Sequence, residues 1–305
     1  MNEMKKTTSY ISILASAVLW GSVGLFFTLL SVYDLSRMEI VFLRTFVAAV
    51  LLFLYLIVFN REKLRVRLRD LWLFFGTGIV SLLAFNYCYF SAMAYTSLSV
   101  AAVLLYTAPA FVAVLSALFF KDRLTVRKVL ALVLTIFGCT VVSGLASSLL
   151  GGGVSYAPEG ILFGLGAGFG YSLYTIFGRA ALKRYDSITI SFYTFAFAAV
   201  GSGLLCNPSH LAETAKSPLF LLLGVGLSIT TCLAPYLLYT YGLKHVGNSE
   251  ASITATIEPV AAACFSVLLL NEPFTLEKGL GMALILGAVF IINLPRAKRT
   301  PVPRM

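Results

Sequence analysis

The chain has 305 residues, of which 59% are hydrophobic and 12% are charged, and its formal net charge is +10. Soluble domains are about half apolar and about one quarter charged, so this composition excludes a soluble globular protein and indicates an integral membrane protein. The basic residues lie in short loops between apolar runs. We therefore interpret the positive charge as an orientation signal that also contacts anionic lipid, and we expect no nucleic-acid partner.

Ten apolar runs dominate the chain, each close to the length of about 20 residues that an α-helix needs to cross a bilayer core of about 30 Å. In chain order the runs cover residues 10–30, 38–59, 71–93, 97–120, 126–145, 161–180, 187–206, 218–243, 249–270 and 276–294. The first run follows two lysines, as in a signal peptide, but it is too long for one and nine more runs follow, so we predict that it is retained. The segments between the runs are too short to form a soluble domain, and the function is therefore expected inside the membrane.

Loop charges predict the orientation of the spans, because lysine and arginine accumulate in short cytoplasmic loops. With the N-terminus inside, nineteen basic residues fall in inner segments and three, Arg37, Lys216 and Lys278, in outer ones. This bias predicts a multi-pass protein of the cell (inner) membrane with both termini in the cytoplasm.

An internal repeat appears when the sequence is shifted by 150 residues, because eleven of 46 aligned positions are then identical between residues 89–134 and 239–284. The repeat contains five spans, and an odd number forces the second copy to cross the membrane in the opposite sense. The basic residues of equivalent loops change sides as this inversion requires. The predicted fold is therefore an all-α membrane protein of ten transmembrane helices, arranged as two inverted five-helix repeats around a central cavity, as in many transporters.

This organisation predicts five segments. They are a cytoplasmic tail (1–9), a first repeat (10–145), an outer linker (146–160), a second repeat (161–294) and a second cytoplasmic tail (295–305).

Short motifs give the sequence a family resemblance. They are Trp20-Gly21, Arg44, Thr107-Ala108-Pro109-Ala110-Phe111, Lys121-Asp122, Glu258-Pro259 and Asn271-Glu272-Pro273-Phe274-Thr275. With the length and the repeat, they make the chain resemble the EamA-type members of the drug/metabolite transporter superfamily. The resemblance implies that spans one to four and six to nine surround the cavity, with spans five and ten packed outside. It also implies transport of small organic metabolites, in many members by export.

Glu258 stands out because it interrupts an apolar run directly before Pro259. An ionisable group inside the membrane is costly and is by default a functional candidate. Two roles stay open: a proton or cation coupling site, or a structural group that is hydrogen-bonded or paired with Arg44. Pro109 lies at the equivalent place in the first repeat, and we expect both prolines to bend their helices at mid-membrane and to act as hinges.

Arg44 is the only basic residue that lies more than three residues from either end of a predicted span. A long side chain can extend along the helix to bring its charge to the membrane surface. The functional alternative is a clamp for the carboxylate of an anionic or zwitterionic solute, because a guanidinium binds a carboxylate through two parallel hydrogen bonds.

Helical spacing places the small and polar residues of the sixth run on one face, with large apolar residues opposite. That face holds Gly164, Ala167, Gly168, Tyr171, Tyr174, Thr175 and Gly178. It fits either a cavity wall or close packing through small residues, and the hydroxyls of Tyr171 and Tyr174 favour the wall.

Seven further residues carry polar or aromatic side chains near the middle of a predicted span and are candidates for the cavity lining. They are Trp20, Asn86, Tyr89, Tyr106, Thr230, Tyr236 and Tyr239. Each can instead be a packing residue whose polar group bonds a backbone carbonyl. As a set they fit a cargo with an apolar or aromatic body and a few hydrogen-bonding groups.

A membrane enzyme is the rival class, and the sequence disfavours it. All aspartates and both histidines lie in predicted loops, no phosphate-binding glycine loop is present, and no cofactor or metal site is indicated.

We expect a secondary transporter whose partners are a solute and membrane lipid, working by efflux, either facilitative or proton-coupled. Import of a sugar, nucleoside or other metabolite, a non-transporting scaffold, and assembly as a homodimer stay open.

Overall fold

The structure, a computed structural model, describes residues 2–143, 145, 157–271 and 273–294, without the side chains of residues 2, 3 and 99. The second cytoplasmic tail, most of the outer linker and Glu272 of the family motif lie outside the described residues. The α-helices are α1 (Asn2–Gly21), α2 (Val23–Leu30), α3 (Arg37–Phe59), α4 (Leu71–Phe75), α5 (Ala84–Tyr95), α6 (Leu98–Leu105), α7 (Ala108–Phe120), α8 (Val126–Val142), α9 (Pro158–Ala181), α10 (Ser187–Gly203), α11 (Pro208–Thr214), α12 (Pro218–Ser228), α13 (Ala234–Gly242), α14 (Asn248–Ala255), α15 (Glu258–Leu269) and α16 (Leu276–Asn293). Two π-helical segments, Gly76–Leu83 and Ile229–Leu233, continue α4 into α5 and α12 into α13.

The described residues contain eight helical stretches that are long and apolar enough to cross a membrane. The two remaining predicted spans correspond to α8 and α10, which have 17 residues each. At 1.5 Å per residue such a helix is about 25 Å long, slightly less than a bilayer core. A bend of 110° separates α10 from the short α11, and counting this pair as one span gives nine. The protein is therefore a multi-pass membrane protein whose described residues form helices without strands, while the number ten stays a prediction.

The fourth and ninth predicted spans are each broken at mid-length, where the sequence predicted bends. α6 stops and α7 starts just before Pro109, and α14 stops and α15 starts just before Pro259. Each proline is the second residue of its new helix, a position whose N–H has no partner within the helix, so the ring removes no hydrogen bond. Residue 108 of the first break and residue 258 of the second are equivalent under the 150-residue shift, but the first is alanine and the second glutamate.

Other local geometries recur at the same shift. Lys121 and Asn271, which follow the fourth and ninth spans, both have left-handed backbones, with φ of 56° and 55°. Thr125 and Thr275 each cap the next helix by accepting a hydrogen bond from the backbone N–H three residues later. The π-helical segment Ile229–Leu233 aligns with the second part of Gly76–Leu83. The two halves thus share backbone irregularities that sequence identity alone does not display.

Small residues allow several helices to approach closely. A Cβ on Gly281 of α16 would collide with the backbone nitrogen of Val142, so α8 and α16, the fifth and tenth predicted spans, pack together backbone to backbone. In α9, a Cβ on Gly164 would meet Leu104, and one on Gly168 would lie 2.7 Å from the Thr107 Oγ1. The glycines of α9 therefore form a packing seam against the broken fourth span. For these glycines the contacts fit close helix packing, one of the two roles predicted for that face.

The loops at one end of the bundle carry ten lysines and arginines and are tied together by polar contacts. We call this the basic end, formed by residues 60–70, 121–125, 182–186 and 243–247. The contacts join Lys63 to Asp186 at 2.6 Å, Arg184 and Tyr185 to Asp70, and Arg179 to Asn248 and Val246. Loops from both halves of the chain are therefore joined at the basic end.

The opposite end is held by fewer polar contacts between the halves of the described chain. There the Tyr33 hydroxyl lies 3.2 Å from the Ser217 hydroxyl, and the buried Glu39 carboxylate lies 3.2 Å from the His210 ring.

Candidate solute-binding site

An aromatic cluster fills the centre of the bundle on the side of the basic end. The Trp20 ring of α1 packs against Tyr236 and Tyr239 of α13, with ring centroids 5.2 and 5.5 Å away, and against Tyr171 of α9 at 6.2 Å. Tyr174 meets Tyr236 edge to face at 4.9 Å. Edge-to-face pairs of this kind contribute about 0.5–1.5 kcal/mol beyond burial. Three helices are thereby joined at the middle of the protein.

Two hydroxyl pairs stitch α9 to α13 within this aromatic cluster. The Tyr174 hydroxyl lies 2.6 Å from the Thr240 hydroxyl, and the Thr175 hydroxyl lies 2.8 Å from the Tyr239 hydroxyl. All four side chains are buried, so each hydroxyl needs a partner, and these pairs provide one.

The space left among these rings is about 10 Å³, enough for about one water molecule. It is lined by Trp20, Ser81, Phe85, Tyr171, Tyr174, Thr175, Tyr236 and Tyr239. The aromatic cluster therefore closes the path from the centre to the basic end.

Glu258 lies on the other side of the aromatic cluster, in the first turn of α15. A helix N-terminus favours negative charge. The hydroxyls of Tyr171 and Tyr106 lie beside the Glu258 carboxyl, and the Arg44 guanidinium is near enough to attract it. Glu258 and both tyrosines lie at mid-span and keep partial exposure, so they are not fully sealed by their neighbours.

Arg44 is held inside the bundle and does not extend to the surface, since it is only 6% exposed. Its Nη2 donates a 2.8 Å hydrogen bond to the Oδ1 of Asn86, and the Asn86 Nδ2 donates to the Leu82 carbonyl. The Arg44 Nε–H is buried without a partner among the described residues. The ion pairs of the described chain all use other carboxylates, so Arg44 attracts Glu258 without a direct contact. The guanidinium thus keeps one unpaired N–H in the interior of the described bundle.

The model of the EamA-like transporter family matches this chain twice, over residues 7–144 and 158–294. The chain belongs to the EamA-like transporter family.

Relatives of this EamA-like transporter share its length as well as its sequence. An uncharacterized transporter of Archaeoglobus fulgidus is 30% identical over 225 residues, which cover 70% of this chain and 75% of that protein. The uncharacterized inner membrane transporter YicL of Salmonella typhimurium is 26% identical over 95% of this chain and 96% of its own. A solved crystal structure superposes with a TM-score of 0.78 at 18% identity, covering 94% of this chain and 96% of that one, and shows the shared fold.

Most of the residues predicted from the sequence of this EamA-like transporter come together. Trp20, Tyr171, Tyr174, Tyr236 and Tyr239 form the aromatic cluster, Asn86 holds Arg44, and Tyr89 and Tyr106 lie near Glu258. Thr230 is set apart, because its hydroxyl donates to the Gly226 carbonyl of its own helix.

Two polar residues of the site were not singled out by sequence reasoning. Ser81 lines the central space and donates to the Gly170 carbonyl of α9, and Thr240 holds Tyr174. Ser81 lies in a π-helical segment, whose register a regular helical projection does not reproduce. Thr240 follows Tyr239 in the sequence and carries no signal of its own.

No group of three or more His, Cys, Asp or Glu side chains that could hold a metal ion occurs within the described ranges of this EamA-like transporter. Its internal site instead offers one guanidinium, one carboxyl, an amide and several phenol hydroxyls. Such a set can bind a small solute through charge and hydrogen bonds without holding a metal.

Proposed function

We propose that this protein is a secondary transporter that moves a small zwitterionic organic solute, an amino acid or a close analogue, by alternating access. The solute binds between Arg44 and Glu258, with the aromatic cluster beside it. The carboxylate of the solute contacts the Arg44 guanidinium, and the ammonium of the solute contacts the Glu258 carboxylate.

The observation that carries this proposal is the placement of opposite charges on the two halves of the chain at one internal site. Arg44 belongs to α3 and Glu258 to α15, and they attract each other without touching. The buried Nε–H of Arg44 has no described partner, and an unmade hydrogen bond of this kind costs about 1–3 kcal/mol. A carboxylate ligand would accept from this N–H, because a guanidinium presents its donors as a planar fork.

The contacts at the two ends support a transport cycle. The basic end is tied by ion pairs, whereas the residues around Glu258 keep partial exposure. In the proposed cycle, ten spans form two inverted repeats that exchange their packing, so the site faces one side of the membrane and then the other. Both termini and the basic end are cytoplasmic, in line with the loop charges, and an inner-membrane location is supported by the name of the Salmonella relative.

Efflux is the proposed direction, driven by the solute gradient or by protons that load on Glu258. The aromatic walls are also suited to a sugar or nucleoside ring, which would stack on Trp20. Such a solute would make fewer ionic contacts with Arg44 and Glu258. Import of such a neutral solute is the alternative function.

Flux assays in proteoliposomes test the proposal. The purified protein is reconstituted at two pH values and offered a panel of labelled amino acids, sugars and nucleosides on either side. We expect saturable flux of at least one zwitterion, lost with Arg44→Gln and kept with Arg123→Gln, which removes an exposed charge at the basic end. Flux restricted to neutral sugars or nucleosides would support the alternative, and no saturable flux of any solute would favour a scaffold.

A further inference from the structure

A second concave site lies at the basic end, separate from the central site. It is a cleft of about 420 Å³ lined by Arg65, Val66, Arg67, Asp70, Arg184 and Tyr185. Its volume falls within the range typical of small-molecule sites, about 300–1,000 Å³. One wall comes from the loop between α3 and α4, and the other from the loop between α9 and α10.

The charge of the cleft is positive after its own carboxylate is accounted for. Asp70 is 1% exposed, and its carboxylate accepts hydrogen bonds from the Arg184 guanidinium and, at 2.7 Å, from the Tyr185 hydroxyl. Its negative charge is therefore already matched by Arg184. Arg65 and Arg67 are both exposed, and no carboxylate in the described part of the chain pairs with them. Two uncompensated guanidinium groups thus face a cleft of molecular size.

The depth of the cleft is given by the apolar side chains next to it. Leu68 and Trp72 are 83% and 59% exposed, although Asp70 between them is buried. Tryptophan is enriched at the level of lipid headgroups, where its ring lies in a half-polar layer. The cleft therefore lies at headgroup depth, where the phosphates of lipids are the most abundant anions.

We propose that this cleft is a binding site for a phosphate group, held between Arg65 and Arg67 of the first half and Arg184 of the second. Arginine suits this ligand because its planar fork can bind two phosphate oxygens at once. The phosphate can come from an anionic lipid headgroup or from a soluble phosphate. A ligand that touches both loops would also hold the basic end closed, because it binds that arrangement better than an open one.

Thermal unfolding and native mass spectrometry of the purified protein in neutral detergent test this site. The probes are phosphatidylglycerol, phosphatidylcholine at the same mole fraction, and inorganic phosphate against chloride at equal ionic strength. The variant Arg65→Gln/Arg67→Gln removes two charges from the cleft. The control, Lys121→Gln/Arg123→Gln, removes two exposed charges from another loop of the basic end.

We expect phosphatidylglycerol to stabilise the wild type and the control more than phosphatidylcholine does, and to bind the cleft variant at least about tenfold more weakly. An arginine-dependent effect of inorganic phosphate alone identifies a soluble ligand, and an effect confined to phosphatidylglycerol identifies a lipid. Equal responses of the cleft variant and the wild type would overturn the proposal.

If the cleft variant does not fold, Arg65→Lys/Arg67→Lys keeps the charge while removing the fork. Weaker phosphatidylglycerol binding by this variant would support the proposal. A wild type that responds equally to both lipids and not to phosphate would refute it. Because these readouts measure binding and not flux, they stay separate from the fate of the transport proposal.

Discussion

Arg44 and Asn86 are joined by a 2.8 Å hydrogen bond that links α3 to α5, and Asn86 is itself fixed by the Leu82 carbonyl at 2.7 Å. The guanidinium is therefore oriented before any solute arrives. Asn86 thus fixes the position of the guanidinium, as the proposed carboxylate clamp requires.

Arg44→Lys keeps the charge but removes the planar fork, so we expect solute affinity to fall by at least about tenfold, since a lysine ammonium cannot offer a carboxylate two parallel hydrogen bonds. Ligand-induced thermal shift or the KM of flux in proteoliposomes measures the change. Arg123→Lys, at an exposed position of the basic end, is the matched control. Unchanged affinity in Arg44→Lys would remove the clamp.

Glu258→Gln distinguishes a proton-coupling role of Glu258 from a purely structural role. If Glu258 carries a proton during transport, the amide abolishes the dependence of flux on pH as well as lowering the rate. If the carboxyl only braces Tyr171 and Tyr106, the amide keeps hydrogen bonds and the pH profile survives. Flux measured across a pH series decides, with Glu62→Gln, an exposed loop residue, as the control. Survival of both the rate and the pH profile would rule out the coupling role.

The bond between Thr175 and Tyr239 is expected to help keep the aromatic cluster closed. Thr175→Val removes the threonine hydroxyl and leaves the Tyr239 hydroxyl without this hydrogen-bond partner. The closed cluster should lose about 1 kcal/mol of stabilisation. We expect the cluster to open about fivefold more often. Cys232 is fully buried in the hydrophobic core that contains these rings, so thiol labelling in a variant that retains only this cysteine reports the opening. Thr28→Val, whose hydroxyl bonds only its own helix, should leave the labelling rate unchanged.

Gly21 is a packing position where α1 crosses α15. A Cβ there would lie 2.7 Å from the Ala261 Cβ and 2.8 Å from the Ala262 nitrogen. Gly21→Ala must therefore push the two helices apart, and we expect a loss of about 1–3 kcal/mol in stability together with impaired flux, since Glu258 is on α15. Gly24→Ala is the control, because nothing lies within 4 Å of its added Cβ. Thermal unfolding in detergent compares the two, and equal melting temperatures would contradict the predicted crossing.

Asp186 should make the stability of the basic end depend on pH. Burial raises the pKa of Asp186, but the hydrogen bonds from Lys63 and Thr189 together lower it by more. The net pKa is therefore below the ordinary value of an aspartate. Because the folded pKa is below the unfolded one, this group stabilises the protein at neutral pH, and its contribution is lost as the pH falls through the lowered pKa.

Asp186→Asn keeps the cap on α10 and removes the ion pair with Lys63. The variant should melt below the wild type at neutral pH, and the gap should narrow toward about pH 3. Asp34→Asn, at an exposed loop position whose left-handed backbone asparagine tolerates, is the control. A gap that does not change with pH would disprove the ionic contribution.

The features of the fold that depend on local sequence could be predicted from it. Apolar length predicted the eight long helical stretches found in the described residues, and the breaks fall at Pro109 and Pro259, because a proline at mid-helix has a large and local effect. Arg44 and Glu258 were found because ionisable residues in apolar runs are rare.

Contacts between distant residues could not be predicted in this way. The pairing of Thr175 with Tyr239, and of Arg44 with Asn86, depends on how helices cross, and helix crossing is set by the shapes of many side chains together. The same holds for the glycines of α9, whose small size fits a cavity wall or a packed seam equally well until the neighbour is known. Asp70 was assigned to a loop, but its burial against Arg184 depends on the meeting of two loops more than a hundred residues apart in the sequence.

The exchange of alanine for glutamate between residues 108 and 258 makes the site unequal on its two sides, even though the same helix break frames both. A perfectly duplicated pore would accept a cargo equally well head first or tail first. Under the proposed function, the single acid at residue 258 gives a zwitterionic solute one preferred orientation, which the duplicated helix break alone does not provide.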